Sequence, residues 1–198
     1  MDVATITLPP TLELTIELTD EQFFQLCQNN RDLRFERAAS GELIIMPPTG
    51  SDTGRRNVKI TTQLEIWSQK NNLGIVFDSS SGFKLPNGAD RSPDASWVKR
   101  ERWDALTSEQ QERFAPLCPD FVVELRSPSD SLEKVREKMR EYMDNGARLG
   151  WLINPKNQQV EIYRSARDVE ILPSPAILLG EDVLPGFVLD LKPILARN

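Results

Sequence analysis

Three charged residues in or beside predicted strands carry groups that could do chemistry. Glu124 and Arg126 lie two residues apart in FVVELR, so they share one face if this segment is a strand. Asp94 follows Pro93 and opens a second predicted strand, ASWV. On neighbouring strands, Asp94 and Glu124 would suit a hard cation, because Mg²⁺ prefers one or two carboxylates together with water and phosphate oxygens.

Lys138 adds a positive charge on the helix predicted after the Glu124 strand. It borders the apolar stripe of that helix, so its ammonium can reach the end of the preceding strand. There it would position an attacking water or the scissile phosphate. Alternatively, the side chain extends outward to solvent. The stripe consists of Leu132, Val135, Met139, Tyr142 and Met143.

Each of these residues also has a structural interpretation. Glu124 and Arg126 could form an ion pair near the sheet edge, and Asp94 could be a turn residue. Asn57 and Glu65, on an earlier predicted helix, either border the site or belong to a solvated face. The residues that could form a local basic rim beside the Asp94 strand are Arg91, Lys99, Arg100 and Arg102.

The composition restricts the chemistry further. The chain has 198 residues and no histidine, which excludes Ser-His-Asp and Cys-His catalysis and every His-ligated metal site. A hydrolase built on this chain must use carboxylates, lysine and a hard cation. The net charge of −6 argues against strong nucleic-acid binding by overall charge alone. The absence of a glycine-rich phosphate loop counts against an NTPase.

The segment pattern predicts one domain over residues 1–198, with residues 1–19 as an N-terminal arm. A β-hairpin over 33–48 is followed by a helix over 55–71 that ends near Gly74, and then by short strands. The helix that carries Lys138 has a capping-box pattern at Asp130 and Glu133, and Gly146 suits the position just after its end. Further strands are predicted over 75–78, 82–85, 95–98, 121–125, 149–154 and 159–164, with a short helix over 108–114 and a tail that closes or crosses the sheet.

This order of elements predicts an α/β fold with a mixed sheet and a few covering helices. No apolar run is long enough to span a bilayer, and the N-terminus has no secretory pattern. Cys27 and Cys118 are expected to be free thiols in a reducing compartment. These features together predict a cytoplasmic protein.

Three segments resemble a large bacterial family of restriction-endonuclease-like domains with the PD-(D/E)-x-K pattern. They are SPDASWV, PDFVVELRSPSD and EKMREYMDNGARLGWLINP, and FDSSSGFKLPNG and VLPGF fit as well. The likeness runs from about Leu33 to Leu191. It implies a restriction-endonuclease-like mixed β-sheet flanked by helices, with an N-terminal β-hairpin extension.

The resemblance also implies roles for individual residues. Asp94 and Glu124 would bind Mg²⁺ or Mn²⁺, and the carbonyl of Leu125 would complete the coordination. Arg126 occupies the position of the motif lysine and departs from the pattern, since arginine is a poor proton-transfer group.

The family places a replacement lysine on the next helix, four residues before a tyrosine. Lys138 and Tyr142 match that spacing. Lys138, with Arg126, would then serve catalysis.

The implied function is a metal-dependent endonuclease acting on nucleic acid, with DNA as the expected substrate. One alternative is a catalytically weak or inactive module on the same fold that binds nucleic acid or protein. Another is an enzyme acting on a different phosphate ester. A homodimer is also implied, because two-fold symmetry suits cutting both strands of a duplex. The segment LELTIEL could pair with a partner chain or within its own chain.

Overall fold

The structure, a computed structural model, describes residues 12–196, so the first eleven residues of the expected arm lie outside the described residues. The strands are β1 Leu12–Thr15, β2 Arg34–Arg37, β3 Glu42–Met46, β4 Gly74–Asp78, β5 Phe83–Lys84, β6 Asp90–Arg91, β7 Ala95–Lys99, β8 Phe121–Leu125, β9 Leu149–Asn154, β10 Gln159–Arg164, β11 Glu170–Pro173, β12 Ile177–Leu179 and β13 Val188–Asp190. The helices are α1 Asp20–Asn29, α2 Ser51–Asn71, α3 Arg100–Asp104, α4 Ser108–Glu112, α5 Leu132–Asp144 and α6 Lys192–Leu195.

A six-stranded mixed sheet forms the centre of the fold, in the order β11-β10-β9-β8-β7-β4. The pair β8–β9 is parallel, and the other neighbouring strands of this sheet are antiparallel. Helix α5 makes the crossover between the two parallel strands, as a parallel connection requires. The predicted mixed sheet with covering helices is therefore confirmed.

Strand β8 shows how the two faces of this sheet are used. Phe121, Val123 and Leu125 point into one apolar cluster, which includes Ile60 of α2. Val122 points into the opposite cluster, together with side chains of α5 such as Met139 and Tyr142. Every residue of β8 is buried, so a charged side chain on this strand must find its partners inside the protein.

The predicted β-hairpin is the middle of a second sheet, in the order β1-β3-β2-β6-β5. Strand β1, with the sequence LELT, pairs with β3 of its own chain, which is one of the two pairings considered for this segment. The short strand β6 pairs with β2, and the buried ion pair of Arg37 and Asp90, at 2.7 Å, supports this junction. The second sheet therefore fixes the segment that leads from β6 to Asp94.

The C-terminal segment lies across the central sheet and does not extend it. Strands β12 and β13 form a separate two-stranded sheet. Leu178, Leu189 and Leu191 from this region, with Ile194 of α6, are buried in the cluster on the α2 face.

Several local predictions are corrected by the structure. The capping box at Asp130 and Glu133 is wrong, since Ser131 is the N-cap of α5 and makes no side-chain cap bond. The Asp130 carboxylate instead accepts from the Ser127 backbone N–H at 2.7 Å, within the turn that precedes the helix. Helix α2 begins at Ser51, earlier than predicted, and β6, β11 and α3 were not predicted. Gly146 has a φ of +106°, as expected for a residue just after a helix.

No helix within residues 12–196 combines the length and the apolar character needed to cross a bilayer.

Candidate active site

Asp94 and Glu124 are brought together by the register of β7 and β8. Ala95 pairs with Val123 in this antiparallel ladder, so Asp94, one residue earlier, lies beside Glu124, one residue later. The Asp94 carboxylate accepts from the Leu125 backbone N–H at 2.9 Å through Oδ2. The two carboxylates expected to act together therefore share one end of the strand pair.

The Glu124 side chain lies on the face covered by α5 and is bound there by two donors. The Tyr142 hydroxyl donates to Glu124 Oε1 at 3.1 Å, and the Lys138 ammonium lies 2.9 Å from the same oxygen. Tyr142 is completely buried, because it belongs to the apolar stripe of α5. The stripe that anchors the helix thus also sets the position of Lys138, one turn earlier.

The Lys138 ammonium points into the protein and not to solvent. Its side chain is 15% exposed, and Nζ lies 2.7 Å from Glu36 Oε1 as well as beside Glu124. The backbone carbonyl of Ser92 accepts a further, longer hydrogen bond at 3.4 Å. The interpretation of Lys138 as an outward-extended lysine does not describe this conformation.

Glu36 is a member of this cluster that sequence reasoning missed. Its side chain is 3% exposed, and it also accepts from the Ser92 backbone N–H at 3.0 Å and pairs with Arg91 at 3.2 Å. Arg91 pairs in turn with Glu141 of α5. In the strand RFER, Glu36 is the polar neighbour of Phe35, and no local signal indicates that residues of β6 and α5 pair with it.

Asp94 has two further neighbours from other elements. Asn57 of α2 donates through Nδ2 to Asp94 Oδ1 at 3.0 Å. The guanidinium of Arg34 lies 3.9 Å from the same oxygen, and it is held by the backbone carbonyl of Ser79 at 2.8 Å. Asn57 therefore borders the site, and Arg34 is a second residue that the sequence analysis did not identify. Glu65 is paired elsewhere on α2, where it accepts from Gln69 at 2.8 Å.

Arg126 is directed toward the turn that follows β8. Its guanidinium donates twice to the Asp130 carbonyl, at 3.1 and 3.2 Å, and once to Asn154 Oδ1 at 3.5 Å. No ion pair within 4 Å joins Arg126 to Glu124 in residues 12–196, so the proposed structural pair between them is not present.

The four residues considered for a basic rim all have partners of their own. Arg91 is enclosed by its two carboxylates, and Lys99 pairs with Glu101 at 2.6 Å. Arg102 pairs with the buried Asp120 at 2.9 Å, and Arg100 donates to the backbone carbonyl of Asn72 at 3.4 Å. Each of these side chains therefore has a partner within the chain, although the Lys99–Glu101 pair lies at the surface.

Comparison with known proteins places this arrangement in a family. A family model described as "Uma2: Putative restriction endonuclease" matches residues 20–192. The chain belongs to the Uma2 family.

A solved structure shares the Uma2 chain's fold. It is described as a putative nuclease belonging to DUF820 from Anabaena variabilis ATCC 29413, and it is 19% identical, with a TM-score of 0.73. The similarity covers 90% of this chain and 98% of that one. A search of curated proteins found no significant match. The restriction-endonuclease-like fold implied by the sequence motifs is thus confirmed.

Burial sets the electrostatics of the Uma2 site. It raises the pKa of Glu124 to about 7, with contributions from the nearby Asp94 and Glu36 carboxylates, and Lys138 opposes the shift. Burial also raises the pKa of Asp94, although the Leu125 N–H and the charge of Lys138 counteract it. Two carboxylates whose charged forms are disfavoured by burial and by each other are the arrangement that a cation would relieve.

The same two residues fit a divalent cation in their chemistry. Carboxylate oxygens are the ligands that Mg²⁺ and Mn²⁺ prefer, and Mg²⁺ sites commonly use only one or two of them. Within the described part of the chain, no three acidic, cysteine or histidine side chains converge on one point. The fit therefore rests on a carboxylate pair and not on a complete protein cage.

Glu36→Ala should destabilise the Uma2 protein strongly. The substitution removes a buried carboxylate shared by Lys138 and Arg91, and breaking a buried ion pair costs about 3 kcal/mol or more. Chemical denaturation should show the loss as a lower midpoint at an unchanged slope. Glu101→Ala, which removes an exposed pair, is the control and should change the free energy of unfolding by less than about 0.5 kcal/mol. Equal effects of the two variants would contradict the role given to Glu36.

Proposed function

We propose that this protein is a metal-dependent nuclease that hydrolyses phosphodiester bonds in nucleic acid, with DNA as its substrate. The observation that carries the proposal is the neighbouring pair of Asp94, whose side chain is 13% exposed, and the buried Glu124, with the Lys138 ammonium 2.9 Å from the second carboxylate. Membership of a family described as putative restriction endonucleases supports the same reaction class.

In this proposal Asp94 and Glu124 hold Mg²⁺ or Mn²⁺, with the backbone carbonyl of Leu125 as a further ligand. The ion, when bound, would screen the charge of the phosphate and lower the pKa of the attacking water. The protein contributes position: Asp94 is held by the Leu125 N–H and by Asn57, and Glu124 by Tyr142. Such fixed oxygens need no reorganisation when substrate arrives.

Lys138 serves as a fixed positive charge. With carboxylate oxygens at 2.7 and 2.9 Å, its ammonium stays protonated, so it donates hydrogen bonds and does not accept a proton. It would orient the attacking water or stabilise the pentacoordinate phosphorane. Lys138 thereby takes the place of the motif lysine whose position Arg126 occupies.

Two arginines border this group and could contact the phosphate backbone. The Arg34 side chain is 27% exposed and lies beside Asp94, which places a guanidinium at the edge of the site. Arg126 lies at the end of β8, and we propose an accessory role for it, since its guanidinium holds the Ser127–Asp130 turn.

A homodimer also belongs to the proposal, because two symmetric sites suit a double-stranded cut. Strand β1 pairs with β3 of its own chain and is the edge strand of that sheet, so one of its edges faces no other strand of the described residues.

An inactive binding module is the second candidate. Two observations favour it. The Arg126 guanidinium is bound to Asp130 and Asn154, and the chain has a net charge of −6. It predicts binding of nucleic acid or protein that persists without divalent ions.

Removing both carboxylates should abolish ion binding and cleavage together. We expect calorimetric titration to show Mg²⁺ and Mn²⁺ binding to the unmodified protein and none to Asp94→Asn/Glu124→Gln. Plasmid nicking should disappear in the same variant, because both negative charges that attract the ion are lost while the size of both side chains is kept.

The matched control is Glu101→Gln/Asp104→Asn, which removes two exposed carboxylates of α3 and should behave like the unmodified protein. If the unmodified protein binds no ion and cuts nothing, the binding-module candidate replaces the nuclease. If the carboxylate variant still nicks DNA, Asp94 and Glu124 are structural.

Lys138→Met should reduce nicking by about a hundredfold while ion binding is retained, because one transition-state donor is lost but both ligands stay. Arg126→Met should cause a smaller loss, since Arg126 contacts the turn and not the carboxylates. Initial rates at saturating Mn²⁺ compare the two. A loss in Arg126→Met as large as that in Lys138→Met would show that the motif position, and not α5, supplies the catalytic cation.

A further inference from the structure

The amide nitrogen of Asn57 has a hydrogen-bond partner, and within the described residues its amide oxygen has none. Nδ2 donates to Asp94 Oδ1 at 3.0 Å. The residue is 8% exposed, and within the described residues no donor reaches its carbonyl oxygen, Oδ1. An acceptor buried without a partner costs free energy comparable with a lost hydrogen bond, so it calls for a physical explanation.

The position of Asn57 on α2 is firmly set by its neighbours. The neighbouring Arg56 forms an ion pair with Asp52 at 2.8 Å. It also donates to the backbone carbonyls of Ile194 and Ala196 in the C-terminal segment. Ile60, one turn later, is buried in the core of the α2 face. The amide is therefore held beside Asp94 by helix packing on both sides.

The groups next to this amide decide which partner it can take. The Asn57 amide contacts the Asp94 carboxylate, and Glu124 lies beside Asp94 on the neighbouring strand. The donors near these carboxylates are already engaged with them, and within the described residues no donor reaches the amide oxygen, so this oxygen suits a cation and not an anion. Amide carbonyl oxygens are ordinary ligands of hard divalent cations.

We infer that Asn57 Oδ1 is a third side-chain ligand of the divalent cation held by Asp94 and Glu124. This inference rests on the proposed function and adds a ligand to its site. One amide then has two tasks: Nδ2 orients the Asp94 carboxylate and Oδ1 binds the ion. A role in orienting Asp94 alone would leave the buried, unpartnered oxygen of Asn57 without an explanation.

The test compares the unmodified protein with Asn57→Ala, Asn57→Asp and Asn71→Ala. Calorimetry measures Mn²⁺ affinity, and the luminescence lifetime of bound Tb³⁺ in H₂O and D₂O counts the waters on the ion. Asn71 is the matched control, since it lies on α2 and its amide donates to the Trp67 backbone carbonyl at 2.7 Å, away from Asp94.

Asn57→Ala should weaken Mn²⁺ binding by about tenfold or more and add a water to bound Tb³⁺. Asn57→Asp, which restores an oxygen, should keep the water count of the unmodified protein, and Asn71→Ala should change neither quantity. Thermal unfolding checks that each variant is folded. If the alanine variant is not, Asn57→Leu, which keeps the size of the side chain but has no oxygen, should weaken Mn²⁺ binding and add the same water, and an unchanged water count in it would overturn the inference.

Two outcomes would overturn the inference while the proposed function stands. In one, Asn57→Ala changes neither affinity nor water count. In the other, its affinity falls but the water count stays the same, which would mean that Asn57 acts only by orienting Asp94. If the unmodified protein binds neither Mn²⁺ nor Tb³⁺, the inference and the proposed metal-dependent function both fail.

Discussion

The ammonium of Lys138 lies between two buried carboxylates, 2.9 Å from Glu124 and 2.7 Å from Glu36. Removing three charges from water costs several kcal/mol for each ion, and close ion pairing must offset that cost. The contact therefore requires β2, β8 and α5 to meet at one point. Lys138 therefore links the sheet of β2 to the central sheet through charge, and Arg91 extends the network to Glu141 of α5.

The network leaves the site slightly short of positive charge. Four carboxylates, those of Glu36, Asp94, Glu124 and Glu141, face three cations, Arg34, Arg91 and Lys138. Burial raises the pKa of Asp94 and of Glu124, so it disfavours the charged forms of these two carboxylates. A divalent cation would correct the imbalance where the carboxylates are densest. Stability and the proposed chemistry thus depend on the same groups.

The sequence indicated the parts of the site that follow local geometry. Alternation along β8 placed Glu124 opposite the Phe121 face, and the stripe on α5 placed Lys138 at its border; both placements agree with the structure. Glu36 and Arg34 could not be found in this way, because their roles depend on a hairpin folding back over segments far along the chain. The predicted capping box is wrong because an Asp at this position can accept either from the first turn of the helix or from the turn before it. Here the Asp130 carboxylate accepts from the Ser127 N–H.

Anomalous diffraction from crystals grown with Mn²⁺ would test the central claim most directly. The account predicts one strong peak between Asp94 and Glu124, about 2.2 Å from an oxygen of each. Lys138 should remain within hydrogen-bond distance of Glu36 in the same crystal. A peak bound to other side chains, or none while Lys138 still neutralises Glu124, would contradict the account and leave the carboxylates with a structural role.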